Sequence, residues 1–248
     1  MRTHPSILTS FITLWISLGS VPFLKAAEEI PFRLYRDHMV LAKGAIGPLD
    51  DLTFLIDTGA TSTAINPHIA KQLKVGGTVT KAASYSGEVT CKLAVLHDIR
   101  LGTREFDFIP TLITDFSALG TIGNHIDAII GMNLLKRTNF RIDYTAKTLS
   151  FAPSDQLPNS TTLDCPELSP VITMRVMGRA VRLLVDTGAK DLFLFEERLQ
   201  DFPKATTRRF KKTVYHLGSA EKVRGVLLEE VRLGSSGWDH LSAFLLDS

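Results

Sequence analysis

Three features of the sequence predict an all-β fold built as two tandem copies. Short apolar runs alternate with turn-forming residues along most of the chain, which is typical of strands joined by tight turns. An apolar run that ends in Asp-Thr-Gly-Ala occurs twice, at residues 54–60 and 183–189. Arg100-Leu101-Gly102 also recurs, as Arg232-Leu233-Gly234. These similar offsets predict an internal repeat of about 130 residues.

Composition excludes several classes of partner. Of 248 residues, 28 are basic and 26 acidic, so the net charge of +2 is too small to indicate binding to nucleic acid or an anionic membrane. An apolar fraction of 44% is sufficient to form a hydrophobic core without disulfide bonds or metal ions to stabilise it. Cys91 and Cys165 do not make a disulfide framework. One bridge and two separate thiols both remain open.

The N-terminal 27 residues have the layout of a secretory signal peptide. Arg2 and His4 precede an apolar run from Ile7 to Leu18, and Ala26-Ala27 follows before the first acidic residues. We therefore expect residues 1–27 to be a signal peptide and the protein to be exported, to the periplasm or the extracellular space. An uncleaved membrane anchor is the alternative.

The first copy is predicted over residues 28–151, beginning with strands. Turn residues between Gly44 and Asp51 predict a hairpin. Asn66-Pro67 predicts a helix start, because Asn caps the first turn and Pro suits the first helical position. Gly76-Gly77 predicts the end of that helix. The extended segments expected before and after this helix are Phe32–Leu41, Thr53–Ile56, Thr61–Ile65, Leu93–Leu101 and Phe106–Ile113.

The end of the first copy contains a short, fully apolar strand, Ala128–Ile130, followed by Gly131. A helical turn over Met132–Arg137 and strands at Phe140–Tyr144 and Thr148–Phe151 are expected after it. Residues 152–162 are polar and rich in turn formers, so they predict a linker. The second copy then covers residues 163–248. Its expected elements are strands at Val171–Val176, Ala180–Val185 and Leu192–Phe195, and a helix at Glu196–Leu199.

The repeated loop places a carboxylate at the end of each buried strand. Burying an unpaired charge is unfavourable, so two such positions in one chain, Asp57 and Asp186, suggest carboxylates that meet. Two carboxylates that share a proton can catalyse hydrolysis, since the ionised one accepts a proton from water while the neutral one hydrogen-bonds the carbonyl. No metal-ligand spacing of His or Cys and no glycine-rich phosphate loop occurs. We therefore expect no metal and no cofactor.

These motifs resemble those of the aspartic protease superfamily, which includes the retropepsins and pepsins. The resemblance rests on Asp57-Thr58-Gly59-Ala60, on Asp186-Thr187-Gly188-Ala189 and on Ile129-Ile130-Gly131. The run from Ile129 to Leu135, with Ile142-Asp143-Tyr144, is similar to bacterial retropepsin-like domains. It implies an acid-protease-like fold of two β-barrel lobes and an endopeptidase that acts on peptides or proteins.

The resemblance also implies a role for each site residue. Asp57 and Asp186 would form the catalytic pair, and Thr58 and Thr187 would exchange hydroxyl contacts between the lobes. Gly59 and Gly188 would supply backbone donors to the carboxylates. Ala60 and Ala189 would complete the two loops. The hairpin tip at Tyr85, Ser86 and Gly87 would form a flap over the substrate.

The second copy departs from the family pattern. Its counterpart of Ile129-Ile130-Gly131 would fall near position 260, beyond Ser248, so we expect the second lobe to be incomplete. Three explanations stay open: truncation of a longer enzyme, a second lobe completed by another segment or subunit, or a homodimer that acts through two copies of Asp57. A non-catalytic peptide-binding or scaffold protein that retains the fold is the rival function.

Overall fold

The structure is a computed structural model and describes residues 28–84, 87–151, 161, 163–195, 210–216 and 219–246. Its strands confirm the predicted all-β class. The predicted signal segment, all but Thr161 of the predicted linker, and the predicted helix at 196–199 lie outside the described residues. The strands of the first half, residues 28–151, are β1 Glu29–Tyr35, β2 Met39–Ile46, β3 Leu49–Ile56, β4 Thr63–Ile65, β5 Thr78–Ser84, β6 Gly87–Leu96, β7 Ile99–Leu101, β8 Arg104–Phe106, β9 Ile109–Ile113, β10 Ala128–Ile130, β11 Arg141–Asp143 and β12 Thr148–Ser150.

The strands of the second half, residues 163–246, are also mostly short. They are β13 Val171–Val176, β14 Arg179–Leu184, β15 Leu192–Phe195, β16 Phe210–His216, β17 Ser219–Leu228, β18 Val231–Leu233, β19 Ser236–Trp238 and β20 Leu241–Leu246.

Helices are short and lie at the ends of strands. The helix α1, Pro67–Leu73, begins as predicted, because Asn66 caps it by accepting a hydrogen bond from the His68 N–H. The helix α2, Met132–Leu135, directly follows β10. A 3-10 segment over Ser117–His125 precedes β10, and a shorter one covers Pro166–Leu168. None of the helices in the described part of the chain has the length and apolar character needed to cross a membrane.

The described strands of the first half form one twelve-stranded sheet. Its main path runs in the order β11-β12-β1-β2-β3-β10-β4-β9-β6-β5, while β7 pairs with β2 and β8. Phe54, Ile56 and Ile130 point into the larger core and are fully buried. Leu55 and Ile129 alternate to the opposite face and pack there with Phe116, which immediately precedes the 3-10 segment. Because side chains alternate along a strand, both faces of these central strands are covered.

The strand β10 joins the two parts of the first-half sheet. It pairs in parallel with β3, with Ala128 opposite Phe54 and Ile130 opposite Ile56. It pairs antiparallel with β4 on its other edge, with Ala128 opposite Ile65. A strand paired on both edges and covered on both faces must be apolar throughout, which explains the unbroken apolar run that the sequence shows here.

The second half repeats most of this strand order in two sheets. One four-stranded sheet has the order β14-β13-β18-β19, matching β3-β2-β7-β8. The other has the order β15-β20-β17-β16, matching β4-β9-β6-β5, and β15 pairs with β20 in parallel as β4 does with β9. Among the described residues no strand joins β14 to β15, so the sheets that β10 connects in the first half stay separate in the second.

Three of the predicted first-half strands are wrong in extent, for a common reason. The predicted run Phe32–Leu41 contains a hairpin, since Arg36 and Asp37 adopt positive φ between β1 and β2. The predicted strand Leu93–Leu101 breaks where Asp98 has φ +50°, and the predicted strand Phe106–Ile113 breaks at Phe108 with φ +53°. Non-glycine residues rarely adopt this conformation, so these turns carry no sequence signal.

The end of α1 differs from the prediction. The helix α1 ends before the predicted Gly76-Gly77, because Lys74 already adopts the left-handed conformation that terminates helices.

Cys91 is buried and Cys165 is half-buried, and both are free thiols. Of the two alternatives left open by the sequence, the structure has two separate thiols.

Candidate active site

The Asp-Thr-Gly-Ala loops after β3 and β14 meet, and they bring Asp57 and Asp186 together. The two carboxylates both lie beside Gly188. A Cβ placed on Gly188 would lie 3.0 Å from Asp57 Oδ2 and 3.1 Å from Asp186 Oδ1. A Cβ placed on Gly59 would overlap the Asp186 carboxylate. Glycine is therefore required by space at position 59, whereas at position 188 a Cβ would be tight against both carboxylates.

Reciprocal hydrogen bonds between Thr58 and Thr187 hold the loops against each other. The Thr58 hydroxyl donates to the Val185 carbonyl at 2.7 Å and accepts from the Thr187 N–H at 3.0 Å. The Thr187 hydroxyl donates to the Ile56 carbonyl at 2.8 Å and accepts from the Thr58 N–H at 3.1 Å. These nearly symmetric hydrogen bonds hold the first and second halves together at the two Asp-Thr-Gly-Ala loops.

Backbone N–H groups hold each carboxylate within its own loop. Asp57 Oδ1 accepts from the Gly59 N–H at 2.9 Å and from the Ala60 N–H at 3.1 Å. Asp186 Oδ1 accepts from the Gly188 N–H at 2.7 Å. The Ala189 N–H instead donates to the backbone carbonyl of Asp186. The predicted loop residues therefore lie together, but Ala189 does not take the same part as Ala60.

The environment of Asp57 favours its neutral form. Burial raises its pKa from 3.8 to about 7, assisted by the negative charge of Asp186 and by the hydrogen bond between the two side chains. The hydrogen bonds from the Gly59 and Ala60 N–H groups act in the opposite direction but are weaker. One proton is therefore retained between the two carboxylates up to about neutral pH.

The segment β10–α2 supports the first loop through the backbone. The Asp57 N–H donates to the Ile130 carbonyl at 3.0 Å. The Met132 N–H donates to the Ala60 carbonyl at 2.8 Å, and the Asn133 N–H to the Thr61 carbonyl at 3.2 Å. These bonds fix both ends of the loop that carries Asp57.

Asn133 and Thr63 add side-chain support that the sequence analysis did not identify. Asn133 Oδ1 accepts from both the N–H and the hydroxyl of Thr63, each at 2.8 Å. Asn133 Nδ2 donates to the Pro110 carbonyl at 2.7 Å. The position of Asn133, two residues after Gly131, is the only signal that could have indicated its role.

The second loop has no such support among the described residues. No described hydrogen bond reaches the Asp186 N–H or the carbonyls of Ala189 and Lys190, which correspond to the groups that β10 and α2 bind in the first half. Tyr144 lies on the first half, within electrostatic reach of Asp186: burial and the charge of Asp186 raise the pKa of Tyr144. The sequence analysis had not assigned Tyr144 to the site.

The predicted flap is described only in part. Tyr85 and Ser86 lie outside the described residues, so their role as a flap stays a prediction. Gly87 begins β6 with φ +118° and pairs with Ser84 across the hairpin. Within the described ranges, no group of three or more His, Cys, Asp or Glu side chains is arranged to hold a metal ion.

Comparison with known proteins agrees with the residues that form this site. A family model described as "Aspartyl protease" matches residues 42–134 and 172–248, so each match includes one Asp-Thr-Gly-Ala loop. A solved structure of a retropepsin-like aspartic protease from Rickettsia conorii is 25% identical, with a TM-score of 0.38, over 50% of this chain and 90% of that chain. A search of curated proteins found no match.

Proposed function

Because the chain belongs to the aspartyl protease family, we propose that it is an endopeptidase that hydrolyses peptide bonds with the Asp57–Asp186 pair. The observation that carries this proposal is the convergence of the two carboxylates beside Gly188, with the pKa of Asp57 raised to about 7. A raised pKa on one member of a close carboxylate pair supplies both an acid and a base at the same pH.

The proposed mechanism assigns the neutral role to Asp57 and the ionised role to Asp186. Asp186 accepts a proton from water as the water oxygen bonds to the peptide carbonyl carbon, and Asp57 donates its proton to the carbonyl oxygen. The resulting diol then loses a proton to Asp57 while Asp186 protonates the amide nitrogen, and the C–N bond breaks. Both carboxyl groups return to their starting states.

The geometry of the two loops supports a carboxylate pair that is already positioned for the reaction. The Thr58–Thr187 hydrogen bonds keep the loops in register, so the two carboxylates need little rearrangement during the reaction. Tyr85, Ser86 and Gly87 would cover the peptide as a flap. No cofactor enters the proposed reaction.

The proposal includes the organisation of the whole chain. Residues 1–27 form a signal peptide or membrane anchor, 28–151 the first lobe, 152–162 a linker and 163–248 the second, incomplete lobe. The shared strand order supports the reading of two lobes. The protein is exported, to the periplasm or the extracellular space, and acts on peptides or proteins.

Substitution of the two aspartates tests the proposal. Asp57→Asn and Asp186→Asn should each lower the cleavage rate of a peptide library by about a hundred- to ten-thousandfold, because each removes the acid or the base. Asp37→Asn is the matched control, since Asp37 lies in an exposed turn with φ +64° that Asn tolerates. Full activity in Asp57→Asn contradicts the mechanism. Full activity in Asp186→Asn indicates pairing of first lobes from two chains.

The sparse support of the second loop favours a second candidate, a peptide-binding protein without catalysis. In that case the wild-type protein binds extended peptides but leaves them intact, and Asp57→Asn binds them equally well. Mass spectrometry of the peptides after incubation separates the two functions, because only a protease converts them to fragments.

A further inference from the structure

A short loop at the start of the second half packs against the core of the first half. The loop covers residues 165–170 and includes the 3-10 turn Pro166–Leu168. Cys165 and Leu168 are half-buried, and both pack against the buried cluster that contains the apolar side chains of α2. The Lys136 ammonium group, directly after α2, donates to the Cys165 carbonyl at 3.2 Å. The two halves are therefore also attached through residues outside the two Asp-Thr-Gly-Ala loops.

Backbone hydrogen bonds close the base of the 165–170 loop. The Asp164 N–H donates to the Val171 carbonyl at 2.9 Å, and the Val171 N–H donates to the Asp164 carbonyl at 2.6 Å. Inside the loop, the Ser169 N–H donates to the Pro166 carbonyl at 2.8 Å. A compact loop closed in this way has little freedom to change shape, so a displacement of its tip also moves its base.

The backbone of the loop adopts an unfavourable conformation that its contacts maintain. Glu167 and Leu168 have φ values of +45° and +67°, and a leucine rarely adopts the left-handed region. Such a conformation persists only where the surrounding structure determines it. For Leu168 that surrounding structure is the apolar core of the first half. The packing of the loop across the two halves therefore outweighs a local conformational cost.

The C-terminal end of the loop holds the residue that precedes Asp186. Pro170 is buried, and its carbonyl accepts a hydrogen bond from the Val185 N–H at 2.8 Å. The Val185 carbonyl in turn accepts the Thr58 hydroxyl at 2.7 Å. Both backbone polar groups of Val185 are thus bonded, one to the 165–170 loop and the other to the first half.

The N-terminal end of the loop is connected through α2 to the loop that carries Asp57. Two backbone N–H groups of α2 donate to the carbonyls of Ala60 and Thr61. Lys136 follows α2 directly and binds the 165–170 loop. The two Asp-Thr-Gly-Ala loops are therefore connected twice, directly by the threonine hydrogen bonds and indirectly by α2 and the 165–170 loop.

We propose that the 165–170 loop is a brace that fixes the separation of the Asp57 and Asp186 carboxylates. Lys136 and Leu168 are its positioning residues, because they hold the loop on the first half. A role in cleavage rests on the proposed function, whereas the docking of the loop and its effect on the carboxylates do not. Separation matters for catalysis, because a misplacement of about 1 Å can lower a rate about a hundredfold.

Leu168→Ala tests the brace. The variant loses apolar contact with the first half, so the two carboxylates should move apart and become more accessible to water. Both changes favour the ionised form of Asp57. Its titration, which lies at about 7 in the wild type, should therefore shift to lower pH by about half to one unit. Carbon-detected NMR of the aspartate carboxyl groups measures this shift and requires no catalytic activity.

Leu73→Ala is the matched control. Leu73 lies on α1, is half-buried and packs against the same core cluster, but it is not part of the 165–170 loop. Leu73→Ala should lower the stability of the protein to a similar degree and leave the Asp57 titration unchanged. Equal shifts in the two variants would assign the effect to general loss of stability and would overturn the proposal.

Cleavage of a fluorogenic peptide separates the brace from the protease function. In Leu168→Ala, kcat should fall about tenfold with KM nearly unchanged, because the defect lies in positioning rather than in substrate binding. The alkaline limb of the pH–rate profile should move together with the Asp57 titration. Absence of cleavage by the wild type would contradict the proposed function alone, provided that the titration shifts. An unshifted titration in Leu168→Ala would overturn the brace, whatever the cleavage rate.

Lys136→Met tests the same brace without changing the core, because Lys136 is exposed. Loss of its hydrogen bond should increase the rate at which a maleimide labels Cys165 about two- to tenfold, since the half-buried thiol would leave the first-half core more often. Lys136→Arg keeps a donor and should stay close to the wild-type rate. Cys91, which is buried on β6, is the internal reference. Equal labelling of Cys165 in the wild type and Lys136→Met would contradict the brace.

Discussion

Asp57 combines a buried position with a charged neighbour, and this combination determines its proton affinity. A carboxylate that accepts two backbone hydrogen bonds, as Asp57 does from Gly59 and Ala60, would ordinarily have a lowered pKa. Burial and the charge of Asp186 outweigh those bonds and raise the pKa of Asp57 to about 7. The folded protein therefore binds a proton at Asp57 more tightly than the unfolded chain does.

This difference predicts how stability depends on pH. The folded pKa of Asp57 exceeds 3.8, so its contribution is lost as pH rises from about 4 to about 7, by at most about 1.4 kcal/mol per pH unit. The Asp57→Asn variant has no carboxyl group to titrate at this position, so it should not lose stability in this way. Urea unfolding across this pH range should show the wild-type free energy of unfolding falling relative to Asp57→Asn. Asp37→Asn should keep the wild-type slope, and parallel profiles for wild type and Asp57→Asn would refute the pKa shift.

The hydrogen bonds of Thr58 with the second loop lead to a further prediction about a single residue. Thr58→Ala removes the acceptor of the Thr187 N–H and the donor to the Val185 carbonyl, and Thr58 is 5% exposed. We expect a loss of about 1–3 kcal/mol in the free energy of unfolding, because buried polar groups lose their partners. Thr58→Ser retains the hydroxyl and should recover most of it. Equal losses in both variants would assign the effect to the methyl group and its packing.

At the scale of elements, β10 and α2 connect the core to the loop that carries Asp57. β10 pairs with strands on both edges, and the following residues bind the carbonyls of Ala60 and Thr61. Gly131 is the junction, and its backbone lies so close to Ala60 and Ser62 that a side chain has no space. The loop is thereby positioned by main-chain contacts that are insensitive to most side-chain substitutions.

Gly131→Ala tests this connection. The new Cβ would lie 2.6 Å from the Ser62 carbonyl carbon and 2.8 Å from the Ala60 oxygen, so the backbone of the loop must move. We expect a loss of about 1–3 kcal/mol in stability, together with lower cleavage activity. Gly76→Ala is the matched control, since nothing lies within 4 Å of its Cβ position. Unchanged activity in a folded Gly131→Ala protein would show that the loop does not depend on this contact.

At the scale of the molecule, one chain supplies both aspartates. Thr58 and Thr187, which are 129 positions apart in the same chain, form the reciprocal hydrogen bonds that hold the loops together. The 3-10 segment of the first half also lies beside β16 and β17 of the second. These contacts favour a site assembled within the monomer over one assembled from two copies of Asp57.

Concentration dependence distinguishes the two arrangements. Cleavage per chain should stay constant from micromolar to nanomolar protein, because dissociation of a dimer would not separate Asp57 from Asp186. The measurement is an initial rate with a fluorogenic peptide at each concentration, with size-exclusion chromatography in parallel. A fall in specific activity that follows the loss of a dimer would favour the homodimer alternative.

The all-β class, the paired Asp-Thr-Gly-Ala loops, the α1 start and the apolar strand before Gly131 could all be predicted from the sequence. Each depends on neighbouring residues: alternation, unbroken apolar runs, an Asn-Pro cap or a repeated motif. The turns at Arg36, Asp98 and Phe108 could not be predicted, because their positive φ values are imposed by the strands around them rather than by glycine. Asn133 was missed for a different reason, because its partners Thr63 and Pro110 are distant in sequence and are brought close only by the fold.

By itself, the sequence determined which residues form the two loops and that each loop follows a strand, although the strand before the second loop is largely exposed. Only the tertiary structure decided that the loops meet and that burial beside Asp186 raises the pKa of Asp57. The reason is that local pattern indicates which residues form strands and turns, whereas burial, proton affinity and strand pairing depend on groups brought together from distant parts of the chain. Asp57 and Asp186 are followed by the same three residues in sequence but have different neighbours in space.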